Sequence, residues 1–577
     1  MKKLAVLVFL LAVAAIFVVI VGCGGPAQPA APSTANTANT DAVPPPASGS
    51  GEVSSKPASG ADVPPADGDW IISCLHAEPK LLNPLLDTAD AYCWQITSGH
   101  IFESMLERDN DTLELKPMLA ESYEVSPDHL TYTFKMRKDA KFSDGRPVTA
   151  QDLLFTFNAI RDPKNETADA RNYYQSIEKA EALDDYTVKF TCNKPYFKNL
   201  DVIGETLVYP KHVYEQGDFN THPNNRKPVG SGPYVFESWE TNQQITLTRN
   251  ENYWNPAKKP HIVKLVNKII TNEDSAFQVL DRQELDMMGL NAEQWVNRAS
   301  KPEFEAKFNK HTYWASSGYV GGYSYICWNL RKPQFSDKRV RQALTMLMNR
   351  EEMLATIYHG LGKVISGPEA WNTPPYNQNV KPWPFDPDGA RKLLDDAGWI
   401  DTDKDGIRDS NGVSLAFEFM YPSGSSELDQ MITVYKEQLD RAGINMTIRP
   451  LEWATFIENL TKRSFDAVTL SWAIPANSDP YQVWHSSQTE QGSNYPGFKN
   501  AEVDKILDDA RTEFDEAKRN ALYWRFHEIV HEEQPYTFLF SRQVLAAVDK
   551  RYRGVTVYKV GLDKREWWVP TNLQRYK

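Results

Sequence analysis

The sequence has few cysteines, and the four that follow Cys23 stand far apart. Cys74, Cys93, Cys192 and Cys327 include no pair at the spacing of metal ligands, so a cysteine-based metal centre is not indicated. In an oxidising compartment Cys74 and Cys93 could form a disulfide, and free buried thiols are the alternative.

Positive charge is also in short supply. The chain carries 63 lysines and arginines against 76 aspartates and glutamates, which gives a formal net charge of −13. This balance argues against nucleic acid or anionic lipid as the main partner. No internal repeat of fixed period is apparent, and the apolar content of 41% is ordinary for a soluble globular protein.

The N-terminus has the pattern of an export signal. Lys2 and Lys3 precede an unbroken apolar run from Leu4 to Val21, and Gly22 then stands before Cys23. A small residue before a lone cysteine resembles the lipobox of bacterial lipoproteins, so we predict a signal peptide over 1–22 and lipidation of Cys23. Because the run is just long enough to span a bilayer, an uncleaved membrane anchor is the alternative.

A tether and a multidomain body follow the signal. Residues 24–68 consist mainly of Pro, Ala, Ser, Thr and Gly, a composition that cannot bury enough apolar surface to offset the entropy of ordering. We therefore predict a lipidated cysteine and disordered tether over 23–68. The remaining body of roughly 510 residues exceeds the size of one compact core, so two or three domains are expected.

The body alternates between strand and helix patterns. Residues 130–136 alternate apolar and polar side chains, as a half-buried strand requires. Thr149 to Asp152 form a capping box that predicts the start of a helix, and Asp386-Pro387 predicts another, which Gly398 ends. Apolar residues at helical spacing from Val340 to Leu347 predict a third helix.

One stretch predicts a parallel sheet. Strands are expected over 414–421, 444–448 and 465–472, with helices over 430–442 and 453–460 between them. In such sheets ligands bind beyond the carboxyl ends of the strands, where Trp472 and the loop "AIPANSDPY" are placed. Trp472, Asn477 and Asp479 are therefore candidate ligand-binding residues. The alternative for Trp472 is a cap on the core under a loop.

Several blocks in order now resemble a known family. They are "LAESYEVSPDHLTYTFKMRKDAKFSDGRPVTAQDLLFTF", "PVGSGPYVFESW", "NENYW", "FSDKRVRQALTMLMNREEML" and "FDPDGARKLLDDAGWIDTDKDGIRDSNG". These blocks look like the family 5 solute-binding proteins, which serve ABC importers for dipeptides, oligopeptides, nickel chelates and some sugars. The resemblance runs from about residue 70 to the end of the chain.

The resemblance implies a fold and a domain division. The expected fold is α/β, two-lobed and periplasmic-binding-protein-like (type II, cluster C), with an extra inserted domain. Carried over, the first lobe is 69–107 with 225–318 and 546–577, the inserted domain is 108–224, and the second lobe is 319–545. The hinges should then lie near residues 318 and 545.

The segment "RFHEIVHEEQP" contains the H-E-x-x-H pattern of zinc proteases, at His527, Glu528 and His531. A catalytic zinc needs a third protein ligand, and the residues that follow do not supply the usual continuation. The family shape, a helix that ends in an acidic residue and a proline before a strand, accounts for the segment instead. We expect the two histidines on the solvated flank of an amphipathic helix; zinc binding is the alternative.

A second metal pattern is an acidic turn. Asp401, Asp403, Asp405 and Asp409 stand at the spacing of a calcium loop, but its twelfth position is Gly412 instead of a glutamate. A tight turn closed by aspartate side chains is expected, and calcium binding is the alternative.

The cleft departs from the family pattern at one position. In peptide-binding members an aspartate shortly after the tryptophan pairs with the α-amine of the peptide, but Ala473, Ile474 and Pro475 follow Trp472 here. Asp479 better matches a structural acidic residue of the family. Either the amine is held differently, or the ligand is not a free-amine peptide.

The segment "EPKLLNPLL" of the first lobe faces the cleft in relatives, which adds Glu78 and Asn83 to the candidate ligand-binding residues. Glu78 could pair with an amine, and a carboxylate that closes a turn is the alternative.

These observations predict a substrate-binding lipoprotein of an ABC importer. It would capture a small ligand, in particular an oligopeptide or dipeptide, by hinge closure, and deliver it to a membrane permease. No catalytic residue, no cofactor and no nucleic acid are expected. We expect a monomer. Its lipid would anchor it on the outer side of the cytoplasmic membrane or in the periplasm. The alternatives are an exported zinc metallohydrolase and a ligand-sensing receptor without transport.

Overall fold

The structure is a computed structural model that describes residues 64–314, 319–423, 425–490 and 492–576. The predicted signal peptide, Cys23, the tether as far as residue 63 and the hinge near 318 lie outside the described residues. Within those ranges no helix has both the length and the apolar character needed to cross a bilayer.

The strands in chain order are Trp70–Leu75 (β1), Leu106–Arg108 (β2), Leu115–Pro117 (β3), Ala120–Val125 (β4), Thr131–Met136 (β5), Ile177–Asp184 (β6), Thr187–Cys192 (β7), Tyr234–Glu240 (β8), Gln244–Arg249 (β9), Lys264–Ile269 (β10), Met287–Gly289 (β11), Phe308–Tyr313 (β12), Tyr319–Trp328 (β13), Gly362–Val364 (β14), Asp409–Ser410 (β15), Val413–Ser414 (β16), Ala416–Pro422 (β17), Asn445–Leu451 (β18), Ala467–Pro475 (β19), Tyr536–Phe538 (β20), Phe540–Arg542 (β21), Val544–Asp549 (β22), Val557–Tyr558 (β23) and Gly561–Leu562 (β24).

The α-helices are Ala91–Thr97 (α1), Ala150–Arg161 (α2), Ala168–Tyr173 (α3), Asn199–Gly204 (α4), Lys211–Tyr214 (α5), Glu273–Asp281 (α6), Pro302–Lys307 (α7), Lys338–Met346 (α8), Arg350–Thr356 (α9), Pro387–Asp396 (α10), Ser426–Arg441 (α11), Trp453–Thr461 (α12), Tyr481–Trp484 (α13), Ala501–Thr512 (α14) and Glu516–Glu533 (α15). A π-helical turn spans Gln294–Arg298. Short 3₁₀ turns are Pro223–Asn225, Pro256–Lys258, Pro333–Phe335, Ser486–Gln488, Lys564–Glu566 and Thr571–Leu573.

The first large sheet takes its strands from distant parts of the chain. Its order is β12-β22-β11-β1-β10-β9-β8, so β22 from near the C-terminus lies between β12 and β11. Arg551, just beyond β22, contacts the buried Asp69 at 3.0 Å (Nε to Oδ2) and also pairs with the buried Asp286. The beginning and the end of the described body are therefore joined within one core.

The second large sheet contains the predicted parallel unit. Its order is β18-β17-β19-β13-β20, with β17 parallel to both β18 and β19. Helices α11 and α12 connect these strands, so the β-α-β-α-β prediction is confirmed. The last strand is longer than predicted, because β19 runs to Pro475 and places Trp472 inside the strand.

A four-stranded antiparallel sheet, β4-β5-β7-β6, lies within residues 120–192. Its buried residues, such as Phe134 and Val188, belong to the same apolar cluster as Leu75 and Ile245 of the first large sheet. This smaller unit therefore packs on the first sheet through a shared core. The predicted boundaries of the two lobes and of the inserted domain stay a prediction.

Local signals in the sequence match the elements. Strand β5 is the predicted half-buried strand, and the Thr149 capping box begins α2 through Asp152. Asp386 caps α10, whose C-terminal turn has Gly398 at a φ of 81°. The structure also decides between the two alternatives for the cysteines. Cys74 and Cys93 do not form a disulfide, and Cys192 and Cys327 are free thiols as well.

Candidate functional site

Trp472 lies in an aromatic column on the second large sheet. It pairs directly with Tyr323 across β13 and β19. Its ring stacks at 6.2 Å on Tyr325 and at 6.4 Å on Tyr495, and Tyr325 stacks at 4.0 Å on Tyr536. Trp472 itself is half-buried. The column thus brings together large aromatic contact area near the carboxyl end of β19.

A glycine lets the two central strands approach at this point. A Cβ on Gly322 would lie 2.5 Å from the backbone oxygen of Trp472, which is closer than any real contact. Only a residue without a side chain fits there without a shift of β13 or β19. The position of Trp472 therefore depends on Gly322.

Asn477 and Asp479, in the loop after β19, contact residues that follow the smaller four-stranded sheet in the chain. The Asn477 amide donates to Asp201 at 2.6 Å, and the Tyr196 hydroxyl donates to Asp479 at 2.7 Å. Arg511 donates to Asp479 through Nε and Nη2 at 2.9 and 2.8 Å. Both predicted ligand residues are thus engaged by protein groups in this conformation.

Further contacts extend this seam, which we define as the interface between residues 173–201 and 477–519. Tyr173 donates to Gln482 at 2.9 Å, and the backbone N–H of Phe197 donates to the Arg511 carbonyl at 3.0 Å. The Arg519 guanidinium lies 4.3 Å from the centre of the Phe197 ring. The residues on the 173–201 side were not predicted from the sequence, because local residue spacing cannot indicate a contact with a residue some 300 positions away.

Glu369 is a second residue that sequence reasoning missed. It is 1% exposed, and its Oε1 accepts a hydrogen bond from Ser478 at 3.2 Å. Its Oε2 is buried and has no hydrogen-bond partner among the residues that the structure describes. Burial raises the pKa of Glu369 to about 8, and the nearby charge of Asp479 adds to this effect. A buried carboxyl group with one unpaired oxygen is therefore in contact with the seam residue Ser478.

Glu78 and Asn83 are both engaged by neighbouring protein groups. The Glu78 carboxylate accepts from the Trp239 indole at 2.6 Å and from the backbone N–H of Asn242 at 3.2 Å. Asn83 is fully buried, with its amide bonded to Asn225 at 2.9 Å and to the Tyr209 hydroxyl at 2.8 Å. These contacts hold the segment 78–83 in place, and a role of either residue in ligand binding stays a prediction.

The H-E-x-x-H helix does not present a zinc site. His527 is fully buried: its Nδ1 accepts from the backbone N–H of Asn377 at 3.2 Å, and its Nε2 lies 3.1 Å from the Ser366 hydroxyl. Burial lowers the pKa of His527 to about 3. His531 Nδ1 contacts the Ser366 carbonyl at 3.1 Å. Among the described residues, no third metal-ligating side chain converges on these two histidines.

The expected solvated flank for His527 is therefore wrong. The loop that begins at Ser366 covers the helix, and Gly367 packs so closely that a Cβ there would lie 2.0 Å from His527 Nε2. The family-type ending of the segment is confirmed, because α15 ends at Glu533 and Pro535 leads into β20.

The acidic turn gathers three carboxylates. Candidate ligand atoms of Asp401, Asp403 and Asp405 all lie within 4.8 Å of one another. Asp409 does not join them, because it accepts from the backbone N–H of Thr402 at 2.8 Å and from its hydroxyl. Each of the three carboxylates also accepts a backbone N–H of the loop, as the predicted turn requires. Calcium binding here stays a prediction.

Comparison with known proteins places this geometry in context. Residues 114–495 match a family model described as bacterial extracellular solute-binding proteins, family 5 middle. The chain is 30% identical over 542 residues to the oligopeptide-binding protein AppA of Bacillus subtilis (strain 168), which covers 90% of this chain and 95% of the relative.

Two solved structures are similar over most of the chain. AppA from Bacillus subtilis in complex with a nonapeptide has a TM-score of 0.76 at 28% identity, covering 88% of this chain and 100% of the other. NikZ from Campylobacter jejuni in complex with Ni(L-His) has a TM-score of 0.74 at 25% identity, covering 87% and 99%. The predicted two-lobed α/β fold is confirmed.

Proposed function

Because this chain belongs to the family 5 bacterial extracellular solute-binding proteins, we propose that it is the substrate-binding lipoprotein of an ABC importer for oligopeptides or dipeptides. The resemblance read from the sequence is thereby confirmed. Members of this family bind solutes and are not enzymes. The proposal adds the ligand class, the lipid anchor and delivery to a permease.

The observation that carries the proposed ligand class is the likeness to an oligopeptide-binding protein over nearly the full length of both chains. The structural likeness to the same protein with a bound nonapeptide supports it. The aromatic column at Trp472 supports it further, since stacked rings give apolar contact area that tolerates varied side chains.

Closure of the two lobes would capture the ligand. In the conformation described, the seam closes through Asn477 with Asp201 and through Asp479 with Tyr196. A ligand that binds better when these contacts are formed shifts the protein toward the closed form, which would then dock on the permease. Asp479 itself is paired with Arg511, so we do not assign it to the amine of the ligand.

The domain division and the anchor remain part of the proposal. The lobes would be 69–107 with 225–318 and 546–577, and 319–545, with 108–224 inserted. The chain passes from the first large sheet to the second between β12 and β13, and it returns between β20 and β22, which supports hinges near 318 and 545. Lipidation at Cys23 would hold a monomer at the outer face of the cytoplasmic membrane or in the periplasm.

Native mass spectrometry of the gently purified full-length protein tests the ligand class. Copurified small molecules would be released and sequenced by tandem mass spectrometry. Short peptides are the expected result. A nickel chelate or another non-peptide ligand in their place would overturn the peptide assignment and leave the binding fold intact.

A transport assay separates an importer subunit from a receptor without transport. Cells that lack this chain should lose uptake of the identified peptide and regain it with the intact gene. Unchanged uptake, with binding by the purified protein retained, would favour the receptor.

A further inference from the structure

Asp479 and Asp201, the two seam carboxylates that contact the opposite side, have arginine partners, and Glu369 lies next to this pair through Ser478. Asp479 pairs with Arg511 at 2.8 Å, and Asp201 lies 3.5 Å from Arg108. Glu369, by contrast, has no Lys, Arg or His nitrogen of a described residue within 4.0 Å. Among the described residues, the Ser478 hydroxyl is the side-chain group that donates a hydrogen bond to it. This carboxyl group is therefore the unmatched one of the set.

A buried carboxyl group without a hydrogen-bond partner for one of its oxygens destabilises the folded protein. An acceptor shut away from water without a partner loses its hydration and gains nothing in return. The ordinary remedy is a proton, and the raised pKa of Glu369 reflects that burial. The other remedy is an ammonium group, which supplies both the positive charge and the hydrogen-bond donors.

The position of Glu369 gives a ligand a route to it. Ser478, its hydrogen-bond partner, stands between Asn477 and Asp479, whose side chains form the seam contacts with Asp201 and Tyr196. Opening of the seam would break these contacts on both sides of Ser478, the hydrogen-bond partner of Glu369. The charged and titratable groups that face Glu369 are Asp479, Lys198, Tyr323 and Tyr523.

A second unmatched polar atom lies two residues along the chain. The indole Nε1 of Trp371 is buried and finds no hydrogen-bond partner within the described part of the chain. The segment 369–371 thus leaves both an acceptor and a donor unsatisfied. A peptide carries both complementary groups, an ammonium at its N-terminus and carbonyl oxygens along its backbone.

We propose that Glu369 is the residue that recognises the N-terminal ammonium group of a peptide ligand. This assignment rests on the proposed peptide function. It gives the amine a partner in a chain whose positions 473–475 carry no acidic residue. The Trp371 indole would donate to a ligand carbonyl beside it.

The test compares two peptide mixtures on the purified full-length protein. One is an equimolar synthetic mixture of peptides of three to nine residues without lysine or arginine, and the other is the same mixture N-acetylated. Affinities would be measured by native mass spectrometry titration for the wild type and for Glu369→Gln. Glu103→Gln is the matched control, because Glu103 is also buried but both of its oxygens accept hydrogen bonds, from Tyr253 and Trp254.

The wild type should prefer the free-amine mixture, and Glu369→Gln should lose about 10- to 100-fold of that preference, the span expected for hydrogen bonds to a charged group. Glu103→Gln should keep the preference. The thermal midpoint of the ligand-free Glu369→Gln protein should equal or exceed that of the wild type, because the variant removes an unmatched acid. This second readout separates lost recognition from lost folding.

Two results would overturn the inference in distinguishable ways. If the wild type binds the free-amine mixture and Glu369→Gln binds it equally well, the recognition role of Glu369 fails while the peptide function stands. If the wild type binds neither mixture, the peptide function fails and the inference fails with it. Loss of the preference in Glu78→Gln alone would move the amine site to the first lobe.

Discussion

The carboxylate of Asp479 lies 2.8 Å from the guanidinium of Arg511, and the aspartate side chain is only 3% exposed. Arg511 also places its guanidinium 3.7 Å from the centre of the Tyr481 ring. An acidic residue held in this way closes the end of α14 onto the loop after β19. Its negative charge is therefore used within the protein, which argues against a direct role in ligand recognition.

Replacing Arg511 should destabilise the protein strongly. Arg511→Met leaves the Asp479 charge buried without its partner, and we expect a loss of about 3 kcal/mol of folding free energy. Thermal unfolding followed by circular dichroism measures the effect. Arg525→Met is the matched control, since Arg525 pairs with Glu502 on the surface and its loss should cost less than about 1 kcal/mol. Equal shifts for the two variants would contradict the buried-pair account.

The seam contacts should control the open and closed populations. Tyr196→Phe removes the hydrogen bond to Asp479 and should disfavour closure by about 1 kcal/mol, which weakens ligand binding roughly fivefold. Small-angle X-ray scattering of the ligand-free protein should then report a larger radius of gyration. Tyr558→Phe, which removes a hydroxyl bonded to Glu566 away from the seam, should leave both quantities unchanged.

A side chain at Gly322 should disturb the centre of the second sheet. Gly322→Ala forces a Cβ against the Trp472 carbonyl, and we expect a cost of about 2 kcal/mol together with weaker ligand binding. Urea unfolding and peptide titration measure the two effects. Gly289→Ala is the control, because the nearest atom to a Cβ there is 4.0 Å away and the change should stay within about 0.5 kcal/mol. A stable, fully binding Gly322→Ala protein would refute the close approach.

Stability should depend on pH through His527. Its folded pKa of about 3 lies below the usual value of 6.5, so the unfolded chain binds a proton that the folded chain does not between these two pH values. The resulting stability is fully present above pH 6.5 and is lost as the pH falls toward 3. At pH 5.5 the loss from this group is about 1.4 kcal/mol.

The variant His527→Gln isolates this contribution. Its thermal midpoint should be lower than that of the wild type at pH 7.5, because the bonds to Ser366 and Asn377 are altered, but it should fall less steeply between pH 6.5 and 4.5. Parallel pH profiles for the two proteins would show that His527 titrates normally in the folded state. Removal of metal by chelation should leave the wild-type midpoint unchanged, whereas a fall would revive the zinc alternative.

Signals between neighbours in the chain predicted the elements well. The alternation in β5, the cap at Thr149 and the proline at the start of α10 each act over a few residues, so the local sequence contains all the partners. The parallel unit of the second sheet was predicted for the same reason. The end of its last strand was predicted three residues too early, because Ala473 to Pro475 look like a loop until their pairing with β13 is known.

The site could be predicted only in part, because its partners are far apart in the chain. Asn477 and Asp479 were found as polar residues after a strand, but their partners Asp201 and Tyr196 stand 276 and 283 positions away. The sequence did not indicate Glu369, because its distinguishing feature is a buried oxygen without a partner among the described residues. That feature depends on the packing and leaves no local pattern in the sequence. Likewise, nothing near His527 in the sequence reveals that a loop 161 positions earlier covers it.

The interior place of β22 in the first large sheet sets an order of events for the folding chain. The sheet cannot close between β11 and β12 until residues 544–549 have been synthesised. Arg551 likewise cannot pair with Asp69 before that part of the chain exists. The first large sheet therefore has to stay incomplete while all strands of the second large sheet are synthesised. Contacts of such long sequence separation make folding slow. A nascent chain of this protein should remain susceptible to proteases until its last strand is available.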